Sequence, residues 1–329
     1  MTGPPEESVD AFVAEHGAEI IAASQRIAGH VRRTPVLPTD IDPAVRLKPE
    51  NLQVTGSFKV RGAFNAVLSL LERRPDVTTV CSVSSGNHAQ AVACAARTCG
   101  IGAVIVIPEG ANPIKVAATR AWGAEVVSQG VTFDNREAFT AELAAARGLP
   151  IVHPFDDWDV IHGQASAGLE LLEDAPELDA IVTPVGGGGL LSGIALAVRH
   201  LGREVKMIGV EPESADDAAR SFATGQHQRL ATTPATMADG VKVLSIGDRN
   251  FDVLVRHHLA DAIVTVSEDS IRSAVDEIWR RARLVVEPTA ALPLAAYRAG
   301  RLPLTANATV GLVLTGGNVD PALVRDLLA

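Results

Sequence analysis

Short apolar, β-branched runs alternate along the chain with longer stretches whose apolar residues recur at helical spacing. Thr79–Val83, 103–107 and 124–127 read as strands, with helices expected over 88–98, 113–122 and 136–147. Farther on, 180–185, 206–210, Ala262–Val266 and 309–314 read as strands, separated by helices over 190–201, 269–283 and 290–299. Alternation at this spacing predicts parallel sheets covered by helices, an α/β fold. No fixed-period repeat, low-complexity tract or linker interrupts it. The chain is longer than one average domain. Boundaries near Leu70 and His153 divide it into a large domain, 1–69 with 154–329, and a smaller inserted domain, 70–153.

Three strands run into the same kind of turn. Val83 leads into Ser84-Ser85-Gly86-Asn87, and Val185 into Gly186, Gly187, Gly188 and Gly189 followed by Leu190. Leu314 leads into Thr315-Gly316-Gly317-Asn318. Ligands of open parallel sheets gather at the carboxyl ends of strands, so these turns are expected to line one site.

Charge and composition narrow the partners. A net charge of −10 opposes broad binding to nucleic acid or to an anionic membrane. The apolar stretch 180–198 contains Pro184 and four consecutive glycines, which suit a strand, a turn and a helix rather than a membrane span. The acidic start MTGPPEESVD lacks a secretory pattern, and three cysteines form no disulfide framework. A cytoplasmic protein is expected. Of 29 basic residues only five are Lys: Lys48, Lys59, Lys115, Lys206 and Lys242.

The glycine run leaves backbone N–H groups uncovered at the positive end of a helix, a cradle for one phosphate; the alternative is a tight strand–helix turn with no ligand. It lacks the G-x-G-x-x-G spacing of dinucleotide sites, and no Gly-Lys pair marks a Walker loop. Lys59, between Phe58 and Val60, either loses solvation and offers its amine as a nucleophile or, as is commoner for such a lysine taken alone, is a surface residue whose stem packs on its apolar neighbours. A phosphate cradle and a nucleophilic amine together meet the requirement of pyridoxal phosphate, whose aldehyde forms a Schiff base with lysine.

From about Arg33 to Asp320 the sequence resembles the fold type II pyridoxal-phosphate enzymes, specifically the serine/threonine dehydratase and serine racemase family. The motifs are Lys48-Pro-Glu-Asn51, Thr55-Gly-Ser-Phe-Lys-Val-Arg-Gly-Ala63, Ser84-Ser-Gly-Asn-His-Ala-Gln90, Pro184-Val-Gly-Gly-Gly-Gly189, Glu287-Pro288 and Thr315-Gly-Gly-Asn-Val-Asp320. The resemblance implies a tryptophan synthase β-like α/β fold, two parallel-sheet domains with the cofactor between them. It implies that Lys59 holds the cofactor and then acts as the base on Cα. Phe58 would pack near the ring, Asn87 bond its hydroxyl, Gly186 to Gly189 with Leu190 bind the phosphate, and Thr315 face the pyridine nitrogen. Ser84, Ser85, Asn87 and His88 would hold the substrate; His88 is alternatively a packing residue.

The implied reaction is elimination of water from L-threonine, L-serine or a related 3-hydroxy amino acid, giving a 2-oxo acid and ammonia. Ser85 opens an alternative. Dehydratases of the family commonly read Ser-Ala-Gly-Asn at this turn and serine racemases Ser-Ser-Gly-Asn, so Ser85 is either a second base for racemisation or a loop hydroxyl. A β-replacement enzyme and a non-catalytic binding module are the remaining rivals. Glu211, Ala215 and Asp217 resemble the divalent-metal site of the racemases, suited to Mg²⁺ or Ca²⁺. Trp158, His162, Ala165 and Ala290 depart from the family pattern and are expected to alter the substrate pocket. The chain ends shortly after Asp320, so no C-terminal regulatory domain is expected, and a homodimer is.

Overall fold

The computed structural model describes residues 8–328. In chain order its elements are α1 (Val9–Ile27), β1 (Leu37–Pro38), β2 (Val45–Pro49), α2 (Lys59–Arg73), β3 (Thr79–Val83), α3 (Asn87–Thr98), β4 (Gly102–Val106), α4 (Pro113–Ala121), β5 (Glu125–Val127), α5 (Arg136–Arg147) and α6 (Trp158–Asp174). There follow β6 (Ala180–Pro184), α7 (Gly189–His200), β7 (Lys206–Pro212), α8 (Asp217–Thr224), α9 (Asp248–Phe251), β8 (Ala262–Val266), α10 (Glu268–Glu277), α11 (Pro288–Arg298), β9 (Val310–Leu314) and α12 (Pro321–Leu328).

The strands form two sheets. One has the order β1-β2-β9-β6-β7-β8, parallel except for β1; the other is β3-β4-β5, all parallel. Both are buried on two faces, which is why their strands read as near-continuous apolar runs. In the larger sheet Ile181, Met207 and Val313 face a core shared with α1, α6 and α7. The alternate residues Val182, Ile208 and Leu312 face α10 and α11. In the smaller sheet Val80 and Ile105 pack against α2 and α3, while Cys81 and Val104 pack towards α5.

The alternation expected from the sequence is present, with shifted ends. The helix expected over 269–283 stops as α-helix at Glu277, widens into a π turn over Ile278–Ala282, and ends at Arg283, whose φ of 59° is left-handed. The helices expected from the sequence omit α2 and α6. α2 does carry apolar residues at helical spacing, Val60, Ala63, Phe64 and Val67, whereas α6 buries His162, Gln164 and Ser166 among its apolar positions and shows a weaker stripe. No helix among the described residues is long and apolar enough to cross a membrane.

The topology places the candidate turns together. β6 and β9 are neighbours, so the glycine turn after β6 lies beside the Thr315 turn after β9. The smaller sheet brings the Ser84 turn to the same cleft from the other side.

Candidate active site

A cavity of about 400 Å³ opens at the carboxyl ends of β3, β6 and β9. Phe58, Lys59, Ser84, Ser85, Asn87, His88, Gly186, Gly187, Gly188, Gly189, Leu190 and Thr315 all line it. The twelve residues expected to serve cofactor and substrate therefore meet in one place.

Lys59 opens α2, and its position is fixed from three directions. Ser57 pairs with Gly316, and Phe58 N–H donates to Thr315 O at 3.0 Å. Two residues on, fully buried Arg61 donates to Glu50 and Glu170 at 2.7 Å each, and Glu170 also accepts from Lys48 at 2.6 Å. Two cations and two carboxylates balance one another in this network. It uses the Lys48-Pro-Glu-Asn51 motif as an anchor for the helix that carries Lys59. The Lys59 amine donates to Pro154 O at 2.7 Å and lies 5.2 Å from the centre of the Phe58 ring. Burial brings its pKa down to about 8, partly opposed by the Glu287 carboxyl.

The glycine turn is held by its carbonyls, which frees its N–H groups. Gly187 O accepts from Asn250 Nδ2 at 2.8 Å and from Gly247 N–H at 3.1 Å. No N–H from Gly186 to Leu190 has a partner among the described residues. Gly188 adopts φ 91°, and a Cβ on Gly187 would lie 2.0 Å from the Phe155 ring. Only glycine fits, and the result is an uncovered row of donors at the start of α7.

At the Ser84 turn, Ser84 N–H donates to Val106 O, and its hydroxyl accepts from Gly86 N–H at 3.1 Å. Ser85 is exposed to the cavity and makes no hydrogen bond among the described residues. Asn87 Nδ2 donates to Glu287 at 2.8 Å, and Asn318 donates to Asn87 Oδ1 at 2.9 Å. His88 is buried, with Nε2 at 3.2 Å from Val152 O. Burial and the Lys59 charge hold its pKa well below the usual imidazole value, so the ring is neutral. His88 thus packs as well as lines, and the first N–H groups of α3 are left for an anion.

Thr315 Oγ1 and Glu287 Oε2 are buried without a partner among the described residues. Unpaired polar atoms, free N–H donors and a buried amine in one cavity fit pyridoxal phosphate, which offers a ring, a phosphate and an aldehyde.

Several lining residues were not in the sequence-based set. Glu287 and Asn318 lie in quoted motifs, so a signal for them existed. Arg136, Lys115 and Lys242 also line the cavity, with no motif to mark them. Lys115 pairs with Asp239. Arg136 stacks 3.5 Å above the Phe133 ring centre and, like Lys242, makes no salt bridge among the described residues.

One expectation is corrected. Trp158, His162, Ala165 and Ala290 do not reach the cavity. Trp158 stacks on His16 of α1 at 4.0 Å between ring centres, and His162 Nε2 lies 3.0 Å from His16 Nδ1. Ala165 lies against Gly193 of α7, and Ala290 is buried beside the larger sheet. These side chains pack between α6 and α1, between α6 and α7, or between α11 and the larger sheet, so the departures repack those contacts rather than the pocket.

Glu211 and Asp217 stand apart from the cavity. Glu211 accepts from Ala218 and Ala219 N–H at 3.2 and 2.8 Å, while both Asp217 oxygens are buried without a partner among the described residues. Burial and mutual repulsion raise the Glu211 pKa well above its usual value, and burial raises that of Asp217 to about 6. Ala215 closes the turn between them through its N–H to Pro212 O at 2.9 Å. Among the described residues no three His, Cys, Asp or Glu side chains converge as a metal cluster.

Comparison with known proteins agrees with this geometry. The L-threo-3-hydroxyaspartate ammonia-lyase of Pseudomonas sp is 42% identical over 315 residues, covering 94% of this chain and 97% of its own. The serine racemase of Dictyostelium discoideum is 37% identical over 317 residues, covering 94% and 97%. The crystal structure of a threonine deaminase from T.th. superposes with a TM-score of 0.85 at 46% identity, covering 92% of this chain and 98% of that one. With residues 27–316 matching the family described as pyridoxal-phosphate dependent enzyme, the chain belongs to that family.

Proposed function

We propose that this enzyme eliminates water from an L-3-hydroxy amino acid, giving a 2-oxo acid and ammonia, and that it favours a substrate with a second carboxylate, as in L-threo-3-hydroxyaspartate. The observation that carries the second clause is Arg136, a half-buried guanidinium facing the cavity with no carboxylate bound to it among the described residues. Asp239, which lines the same wall, is neutralised by Lys115. Arg136 and Lys242 are thus left to attract an anion beyond the one held at the start of α3. The similar Pseudomonas sp protein carries the matching name.

Pyridoxal phosphate supplies, when bound, the electron-withdrawing ring that acidifies the substrate Cα–H. The chain's own groups do the rest. The N–H donors of Gly186 to Leu190 bind the phosphate, Asn87 and Thr315 orient the ring, and the N–H groups of α3 with Ser84 hold the substrate α-carboxylate. The Lys59 amine, with its pKa near 8, takes the Cα proton. The Lys59 ammonium returns that proton to the β-hydroxyl, which leaves as water, and hydrolysis of the enamine left behind, by way of its imine, gives the 2-oxo acid and ammonia. A second reading, racemisation, is favoured by the exposed and unbonded Ser85 hydroxyl on the cavity wall.

We further propose the division into a large domain, 1–69 with 154–329, around the six-stranded sheet, and a small one, 70–153, around the three-stranded sheet. A divalent cation, Mg²⁺ or Ca²⁺, between Glu211, the Ala215 carbonyl and Asp217 would relieve the two raised carboxyl pKa values. A homodimer would cover the exposed Leu52 and Val285, the latter bonded through its carbonyl to Asn51. The three unpaired cysteines suit the cytoplasm.

The test is a rate comparison of L-threo-3-hydroxyaspartate, L-serine and L-threonine with wild type and Arg136→Ala. The variant should lose at least about tenfold in kcat/KM on hydroxyaspartate, the scale of one charge-assisted hydrogen bond, and far less on L-serine. Equal losses on both substrates would remove the dicarboxylate reading. No 2-oxo acid from any of the three would remove elimination itself.

A further inference from the structure

Glu287 occupies the N-cap position of α11, yet its side chain makes no bond to that helix. It turns inward, where Oε1 accepts from Asn87 Nδ2 at 2.8 Å and Oε2 is left without a partner among the described residues. Its backbone is fixed, because Glu287 N–H donates to Gly316 O at 3.0 Å. The fit is close: a Cβ on Gly316 would come within 2.7 Å of Oε1. The carboxyl is only 2% exposed and lines the cavity.

Three charged groups face it. Asp239 opposes its ionisation; Lys115, already paired with Asp239, and Lys59 favour it. Lys59 makes no ion pair with Glu287, having placed its amine on the Pro154 carbonyl. Burial outweighs all of these and pushes the Glu287 pKa up to about 8.

We propose that Glu287 serves the reaction as an un-ionised carboxylic acid, whose carbonyl oxygen accepts from Asn87 and whose O–H donates into the cavity towards the ring oxygen that Asn87 also binds. A neutral donor there draws electron density from the ring. A carboxylate at the same place would repel the density that the reaction delivers to it. The inference rests on the cofactor-binding reading of the cavity and not on which hydroxy amino acid is the substrate.

Stability against pH tests it without turnover. An acid whose pKa is higher in the folded than in the unfolded chain keeps its proton on folding, so folding loses stability as pH rises from about 4 to about 8. Glu287→Gln removes that loss. For the full chain, with and without pyridoxal phosphate, the Tm of the variant relative to wild type should climb as pH goes from 5 to 8. Infrared difference spectra between the two proteins at pH 7 should contain a protonated-carboxyl band. A variant that is most destabilised at neutral pH and recovers in acid would reveal an ionised Glu287 paired with Lys59, and would overturn the proposal. So would absence of the band. If Glu287→Gln fails to fold, Asn87→Ala serves, because it removes the bond that favours the ionised form. Its alkaline stability loss should then move to higher pH, and a move to lower pH would count against the proposal. In turnover, Glu287→Ala should lose about tenfold more kcat than Glu287→Gln; equal losses would leave no role for the donor. Failure of the elimination reading would instead appear as absent 2-oxo acid with the melting pattern intact.

Discussion

Asn318 Nδ2 donates to Asn87 Oδ1 at 2.9 Å and to Thr55 O at 2.8 Å. The bond commits the Asn87 amide to presenting its N–H₂ end to Glu287 and the cavity. It also ties the turns after β3 and β9 to the loop that precedes Lys59. Asn318→Ala should therefore weaken cofactor binding about tenfold through loss of orientation, measured by titrating cofactor-free protein with pyridoxal phosphate. An unchanged Kd would show that Asn87 is held by other means.

Lys59→Ala should yield a protein without the visible absorbance of lysine-bound pyridoxal phosphate, since burial of its amine brings the pKa of this lining lysine down to about 8. Lys115 is occupied by Asp239. An unchanged band in the variant would assign the bond to another amine.

Gly187→Ala would place a methyl carbon 2.0 Å from the Phe155 ring. Strain of this kind costs about 1–3 kcal/mol, and the displaced turn should also bind phosphate more weakly. Denaturant melts check the first effect and cofactor titration the second. Adding Phe155→Ala should restore part of both; a double variant no better than the single would mean that the clash is not the cause.

The paired carboxyls Glu211 and Asp217 have a defined signature. Both pKa values are raised, so without a cation their effect on stability is absent in acid and grows unfavourable as pH rises from about 4 through about 6 for Asp217. In chelator, Asp217→Asn should melt above wild type at pH 7. Saturating Mg²⁺ or Ca²⁺ should raise wild type only, because binding to the folded state alone stabilises it. Identical wild-type melts with chelator and with metal would exclude the cation.

Ser85→Ala separates the two reactions. A positioned acid or base is worth about 10²–10⁴-fold, so racemisation of L-serine should fall by that order if Ser85 is a second base. Elimination from L-serine, which on the proposed mechanism needs only Lys59, should fall far less. Chiral chromatography and 2-oxo acid assays on a variant that keeps its cofactor spectrum make the comparison. Equal loss of both reactions would reduce Ser85 to a loop hydroxyl.

The alternation of strands and helices, the three Gly-containing turns and the singular setting of Lys59 could be read from the chain, because each depends on residues adjacent in sequence. A buried parallel strand is a run of apolar residues, and an anion cradle is a run of glycines. What the chain could not reveal lies in contacts between distant segments. Glu287 meets Asn87 across 200 residues, and Asn318 meets it across 231. The burial that raises the Glu287 pKa exists only once β9, α3 and α11 have packed. Arg136 looks like any helix-start arginine until the smaller sheet carries it to the cavity wall. Trp158 and His162, which mark a departure from the family pattern, face α1 because the rotation of α6 is set by its packing between α2 and α7. Local sequence thus determined which backbone shapes and which candidate nucleophile were present. The tertiary structure alone decided which charges lost their water, since desolvation belongs to the folded surroundings and not to any residue by itself.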